Sequence, residues 1–305
     1  MNTTATLLGA LKSGDFKTIG RCITMVENDL PGSETLLTSL EIDKNVPVIG
    51  ITGPPGAGKS SLVNALIEEL LKEEKRIGIL AVDPTSPFNL GAILGDRVRM
   101  SDHFNKPNVF IRSIATRGSL GGLSAKIIEI TDVMRAANFD LIIVETVGVG
   151  QSEIEIVGLA DITVLVLVPE GGDEIQQLKS GVMEIADVFA INKADRPGAE
   201  IYLKNLYSLL HHAAPDKKQP EVVKTVATKN EGIKELLLAC YKVLALSHNN
   251  LKAFLLAEKA YKLIQNERMK PINKSDLKSA LEQAYTDENF NLYTFVKAYI
   301  LKIKP

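Results

Sequence analysis

The sequence holds two cysteines, four histidines and no tryptophan among 305 residues. Cys22 and Cys240 lie far apart, and neither belongs to a C-x-x-C or Cys/His spacing. That excludes a zinc-ligand pattern and a disulfide framework, and both read as reduced thiols on helices. His211 and His212 sit near a helix end before Pro215, while His103 and His248 are isolated, so no histidine completes a metal constellation. Charge of one sign is not in excess: 35 basic residues against 37 acidic ones give a net charge of −2. The chain thus lacks the electrostatic footprint for nucleic acid or anionic lipid. No apolar run is long enough to span a membrane, and Met1 to Lys12 has neither a secretory leader pattern nor an Arg-rich amphipathic one. We expect a soluble, cytoplasmic protein with no nucleic-acid and no membrane partner.

What is present is a 45% hydrophobic content, enough for a full α/β core with smaller helical additions. Before Val46, two short helices broken at Gly14 are expected, the second carrying Phe16, Ile19, Ile23 and Val26 at helical spacing. From Val46 onward, strand-like runs alternate with helical patterns: Val46–Thr52, Ile77–Val82, Val109–Ile111, Leu141–Val144, Ile162–Val168, Val188–Ile191 and Val222–Val226. Such alternation implies an α/β fold with a mostly parallel sheet and helices on both faces. After Ser247 the strands stop, and Leu251–Glu267, Lys274–Ala284 and Phe290–Ile303 read as helices. The expected organisation is an N-terminal helical extension (1–45), a central α/β domain (46–247) and a C-terminal helical extension (248–305), a candidate dimerisation arm.

The central domain carries the chemistry. Gly53-Pro54-Pro55-Gly56-Ala57-Gly58-Lys59-Ser60 fits G-x-x-x-x-G-K-[ST], between a β-branched run and a helical pattern with Leu62, Val63, Leu66 and Leu70 on one face. In that context the backbone N–H groups between Gly53 and Ser61, the two prolines excepted, point at phosphate oxygens, with Lys59 on the β/γ-phosphates and the Ser60 hydroxyl on Mg²⁺. The helix N-terminus adds its partial positive charge. Downstream, Asn192-Lys193-Ala194-Asp195 ends another apolar run. A carboxylate at Asp195 can accept from both N1–H and the N2 amine of guanine, a donor pair adenine lacks. Lys193 is placed to cover the ring face, Asn192 to tie the loop together, and Ala227 or Thr228 to supply a second backbone contact. The two motifs in this order imply a GTPase.

Three acids follow strand-like runs or lie between them. Glu145 precedes Thr146-Val147-Gly148, where a Mg²⁺-side acid and a γ-phosphate-contacting glycine are expected, and Asp83 and Asp96 are further candidates. Asp83 also suits a cap before Pro84, and Asp96 also suits a pair with Arg99. Val149 stands where many signalling GTPases place a water-orienting Gln, and Gln151 comes two positions later. Arg112 and Arg117 are candidate arginine fingers or surface and tethering arginines. Hydrolysis by the isolated chain is therefore expected to be slow. Pro169 to Lys179 is a polar, glycine-containing loop at the same ligand edge, suited to a switch or to simple helix capping.

Together with Val82-Asp83-Pro84-Thr85-Ser86-Pro87, Gly95-Asp96-Arg97-Val98-Arg99-Met100, Ala115-Thr116-Arg117-Gly118 and Glu145 to Glu153, these motifs make a specific set. From about Leu7 to Leu246 the chain resembles the methylmalonyl-CoA mutase-associated GTPases, also labelled arginine/ornithine transport kinases. The resemblance implies a GTP/GDP-dependent homodimeric chaperone that gates adenosylcobalamin delivery to a cobalamin-dependent acyl-CoA mutase. It further implies that Ser60, Asp83, Asp96 and Glu145 surround Mg²⁺, and that Gly171 to Lys179 senses the client, with Asp173 and Lys179 as relays. Relatives end in a longer arm rich in Arg and Trp, which this tryptophan-free chain does not share. The alternatives are a metallochaperone GTPase and a transport-linked kinase.

Overall fold

Apolar residues alternate between two faces in the central strands, and that alternation organises the molecule. The computed structural model describes residues 4–83, 100–115, 126–146, 156, 158–169, 186–213, 219–246, 250–287 and 289–302. Three helices, α1 (Thr4–Lys12), α2 (Phe16–Glu27) and α3 (Ser33–Thr38), precede β1 (Val48–Thr52) and α4 (Lys59–Lys72). Then come β2 (Ile77–Asp83), β3 (Val109–Ala115), α5 (Ile127–Arg135), β4 (Leu141–Glu145), β5 (Ile162–Leu167) and β6 (Val188–Ile191). The sheet unit closes with α6 (Ala199–Ala213), β7 (Glu221–Lys224) and α7 (Ile233–Leu246). Its seven strands form one sheet in the order β3-β2-β4-β1-β5-β6-β7, every pair parallel.

Strand parity assigns each residue to a layer. Ile49 and Ile51 of β1, Leu141 and Ile143 of β4, and Ile162, Val164 and Val166 of β5 pack with Leu62, Val63, Leu66 and Leu70 of α4 and Leu236 and Leu237 of α7. Val48, Ile142 and Val144 face the opposite layer, with Ile19 and Ile23 of α2 and Ile130 and Val133 of α5. Each fully buried Val, Leu or Ile contributes roughly 1.5–3 kcal/mol. Because successive side chains oppose, Glu145 shares the face of Leu141 and Ile143, toward α4.

Several boundaries differ from expectation. β1 starts at Val48, since Pro47 has no N–H for the ladder and contributes only its carbonyl, to Ile142 N at 2.9 Å. β3 runs on to Ala115 because it pairs with β2 along its whole length, although Arg112 and Ser113 interrupt its apolar run. β7 ends at Lys224, and Val226 instead bridges antiparallel to Glu231. Helix α3 lacked a periodic signal because Leu36 is its one buried residue.

The chain divides into two units, Met1–Leu251 and Lys252–Pro305. In the first, Leu7, Leu11, Ile19, Ile23, Val26 and Leu36 join the same apolar cluster as the sheet, so the N-terminal helices share its core. Arg76 fastens them: its guanidinium lies 4.8 Å from the Phe16 ring centroid and 5.7 Å from that of Phe139, and it donates to the Gly14 carbonyl. Gly14 is in the left-handed region at φ +79°. Arg76→Ala is expected to cost about 2 kcal/mol, read as a lower urea midpoint at unchanged slope. Both cysteines are buried on helices, and burial pushes the Cys22 thiol up to about 11 and the Cys240 thiol up to about 12.

The second unit consists of α8 (Asn250–Met269), which begins just before it, α9 (Lys274–Ala284) and α10 (Leu292–Lys302). Asn273 caps α9 by accepting from Ser275 N at 2.8 Å. Tyr285, Phe290, Phe295 and Tyr299 form a chain of ring contacts with centroids 5.3, 6.2 and 5.6 Å apart. Neither α9 nor α10 buries a residue.

Candidate nucleotide site

The loop from Gly53 to Gly58 joins β1 to α4 at the carboxyl edge of the sheet, where ligands of open α/β sheets sit. Its glycines are required for different reasons. At Gly53 (φ +145°) a Cβ would come within 2.2 Å of the Val166 carbonyl oxygen, and at Gly58 (φ +86°) within 2.4 Å of Asn192 Nδ2. Gly56 has open space, and only its φ of +79° favours glycine. Pro55 and Gly56 are exposed, Pro54 is half-buried and Ala57 is buried. Lys59 opens α4, and its buried Nζ donates to the carbonyls of Gly53 at 2.8 Å and Pro54 at 3.0 Å. Ser61 follows in the first turn, exposed to solvent.

Next to Lys59 in the chain, the buried Ser60 hydroxyl donates to Glu145 Oε1 at 2.7 Å. Strand parity aims Glu145 at α4, so the loop helix and the end of β4 meet at this pair. Thr146 follows, donating through its hydroxyl to Thr52 Oγ1 at 3.0 Å and through its backbone N–H to the Ile51 carbonyl at 3.0 Å. A serine hydroxyl and a carboxylate are hard oxygen donors, the kind that Mg²⁺ selects, and both fit that ion. Asp83 is the last residue of β2, two beyond Ala81, the register partner of Glu145. Asp96, Arg99, Arg117, Gly148, Val149, Gln151, Asp173, Lys179 and the loop 170–179 lie outside the described residues. Among the described residues, no group of three or more His, Cys, Asp or Glu side chains is placed to hold a metal ion.

On the other side of the loop stands the Asn192 segment. Asn192 is 2% exposed and satisfied at both ends. Its Nδ2 donates to the Ala57 carbonyl at 2.9 Å, and its Oδ1 accepts from Thr225 Oγ1 at 3.3 Å and Ala227 N at 3.2 Å. One buried amide therefore ties the glycine loop, the end of β6 and the loop after β7 together. Lys193 adopts φ +57° and its Nζ donates to the Gly56 carbonyl at 2.8 Å, laying its stem along the loop. Asp195 Oδ2 accepts from Lys229 Nζ at 2.8 Å, and that hydrogen bond holds the Asp195 carboxyl below its ordinary range. Lys229 ends the 3-10 turn Ala227–Lys229, whose first N–H is the one held by Asn192. Sequence reasoning missed Lys229, because its partner lies 34 residues away and no motif contains both.

Of the two readings open for Arg112, its contacts favour the surface one: its Nη2 donates to Glu27 Oε2 and Thr24 Oγ1, each at 3.1 Å, which fastens β3 to α2.

A parallel sheet that sets a glycine loop and an Asn-Lys-x-Asp loop side by side at its carboxyl edge belongs to a P-loop GTPase. Residues 19–283 match the family described as methylmalonyl-CoA mutase-associated GTPase MeaB, and the chain belongs to that family. A protein of Pyrococcus abyssi named as a GTPase is 49% identical over 235 residues, covering 75% of this chain and 72% of its own. GTPase ArgK of Escherichia coli is 33% identical over 303 residues, covering 95% of this chain and 89% of its own. A fused isobutyryl-CoA mutase of Geobacillus kaustophilus is 41% identical over 204 residues, which is 63% of this chain and 19% of that protein. The solved structure of a LAO/AO transport system kinase superposes with a TM-score of 0.69 at 25% identity, covering 100% of this chain and 99% of its own. No helix among the described residues is long and apolar enough to cross a membrane.

Proposed function

We propose that this GTPase acts as a chaperone of a cobalamin-dependent acyl-CoA mutase, gating adenosylcobalamin loading and protecting the mutase during turnover. The observation that carries the reading is the family match, supported by a relative in which a similar segment is fused to an acyl-CoA mutase. In a fused protein the two activities share one chain, so a separate GTPase of the same family has a mutase as its natural client. The test is GTP hydrolysis by the purified chain alone and with methylmalonyl-CoA mutase from the same organism. Stimulation of tenfold or more supports the client, on the scale by which partner-supplied groups accelerate slow GTPases, roughly 10³–10⁵ at the upper end; an unchanged rate removes it.

In this reading each loop has one task. Backbone N–H groups between Gly53 and Ser61, the two prolines excepted, receive the phosphates of GTP, and Lys59 leaves its own loop carbonyls for the β/γ-phosphate oxygens. Ser60 and Glu145, joined by Asp83 and Asp96, would hold Mg²⁺, whose charge would offset that of the transferring phosphoryl group. Gly148 contacts the γ-phosphate. Lys193 covers the base, Asp195 accepts its N1–H and N2–H, and, with the Ala227 N–H held by Asn192, the backbone at Thr228 supplies the second contact to the base. Asp195→Asn turns one acceptor into a donor, so preference is expected to move from guanine to xanthine nucleotides by about 10²-fold or more. Competition binding with GTP and XTP reads the switch.

We also assign the C-terminal helices to a homodimer arm, since Tyr261, Ile264, Tyr285, Tyr293, Ile300 and Leu301 are exposed there. Sedimentation equilibrium checks it: deletion of 252–305 should turn dimer into monomer.

A further inference from the structure

We propose that Lys229 is a positioning residue for base recognition, orienting the Asp195 carboxylate from its outer side while the other lone pairs of that carboxylate face the guanine. The proposal rests on Asp195 being the guanine reader.

The geometry supplies the argument. Asp195 and Lys229 come from two different loops, after β6 and after β7, and their side chains meet at 2.8 Å through Oδ2 alone. An ionised carboxylate offers about four acceptor sites, of which an edge-on guanine uses two and a single ammonium one. Lys229 therefore leaves enough acceptor capacity for both base N–H groups. Unheld, an Asp side chain rotates about two torsions, and ordering it would be charged against nucleotide binding.

The two loops are cross-linked at both ends of the base contact. Ala227 N is held by Asn192 Oδ1 at one end of the 3-10 turn, and Asp195 by Lys229 at the other. Behind the turn, Asn230 Nδ2 donates to Glu68 Oε2 of α4 at 2.7 Å, fixing the turn to the glycine-loop helix. Gly232 (φ +72°) brings the chain so close to β7 that a Cβ would lie 1.9 Å from the Lys224 carbonyl oxygen. Lys229 thus projects from an anchored backbone, as an orienting group must.

Charge acts in the same direction. Lys229, and more weakly Arg196, favour the ionised Asp195, while Asp195 and Glu231 favour the charged Lys229. A carboxyl whose folded pKa is depressed keeps its acceptor form at mildly acid pH and loses it as pH falls further.

The experiment titrates GDP, which avoids hydrolysis, against the full chain and its Lys229→Met, Lys229→Arg and Asp195→Asn variants from neutral to acid pH. Lys229 is 53% exposed, so its replacement leaves the core intact. Lys229→Met should weaken GDP and GTP equally, by about fivefold, and move the acid limb of binding to higher pH. Lys229→Arg should restore affinity. In the Asp195→Asn background, Lys229→Met should leave XDP affinity unchanged. If Asp195→Asn shifts preference to xanthine while Lys229→Met leaves GDP affinity and its pH profile as they were, or tightens binding, the positioning role is overturned and the base reader stands. If Asp195→Asn fails to shift the preference, both readings fall.

Discussion

Lys59→Ala is expected to weaken GTP binding by about 10²–10³-fold, the range for removing one preorganised charged or polar contact to a developing anion, while the chain stays folded. Lys59 is 7% exposed, and its side chain reaches from the start of α4 to the Gly53 and Pro54 carbonyls. Those carbonyls sit at the ligand edge, where water replaces the lost donor, so little of the sheet's stability depends on it. No neutral side chain can supply the missing charge to a triphosphate. Isothermal titration with a non-hydrolysable GTP analogue measures the loss, and far-ultraviolet circular dichroism confirms the fold. Normal affinity in a folded variant would remove Lys59 from the phosphate site.

Gly53→Ala is expected to act through the backbone. Its Cβ would lie 2.2 Å from Val166 O and 3.2 Å from Val166 N, both main-chain atoms of the interior strand β5, which cannot give way without breaking the sheet. The cost is about 3 kcal/mol or more, a fall in melting temperature of roughly 6–12 °C at 2–4 °C per kcal/mol. Nucleotide affinity should fall with it, because the loop must shift to accommodate the methyl group. Gly56→Ala is the internal control. It has the same kind of positive φ but nothing within 4 Å, so it should cost only about 1–2 kcal/mol. Equal losses in the two variants would mean that conformation, and not the approach to β5, makes Gly53 necessary.

The contrast between these glycines shows how far residue patterns reach. Gly53, Gly56 and Gly58 are the same residue in one loop, yet the first meets a strand carbonyl, the second open space and the third the Asn192 amide. Apolar runs placed all seven strands, because burial on both faces leaves a continuous hydrophobic signature in the interior strands and even the half-buried β7 keeps Val222 and Val223. Partial burial instead blurred some element ends and one short helix. β3 extends past Arg112 and Ser113, and α3 buries a single leucine.

Residue order alone determined a P-loop GTPase with an Asn-Lys-x-Asp segment downstream, since both motifs are contiguous and each needs only its own strand end to work. Tertiary structure decided which separated residues meet. Ser60 reaches Glu145 across 85 residues, because β1 and β4 are neighbours and parity turns Glu145 toward α4. Asn192 reaches Ala57 across 135 residues, and Asp195 finds Lys229 because β6 and β7 end side by side. Arg112 turned away to Glu27 for the same kind of reason, its strand lying at the sheet edge beside α2. Strand order is a long-range choice, made by the burial of whole faces, and no short window of sequence contains it.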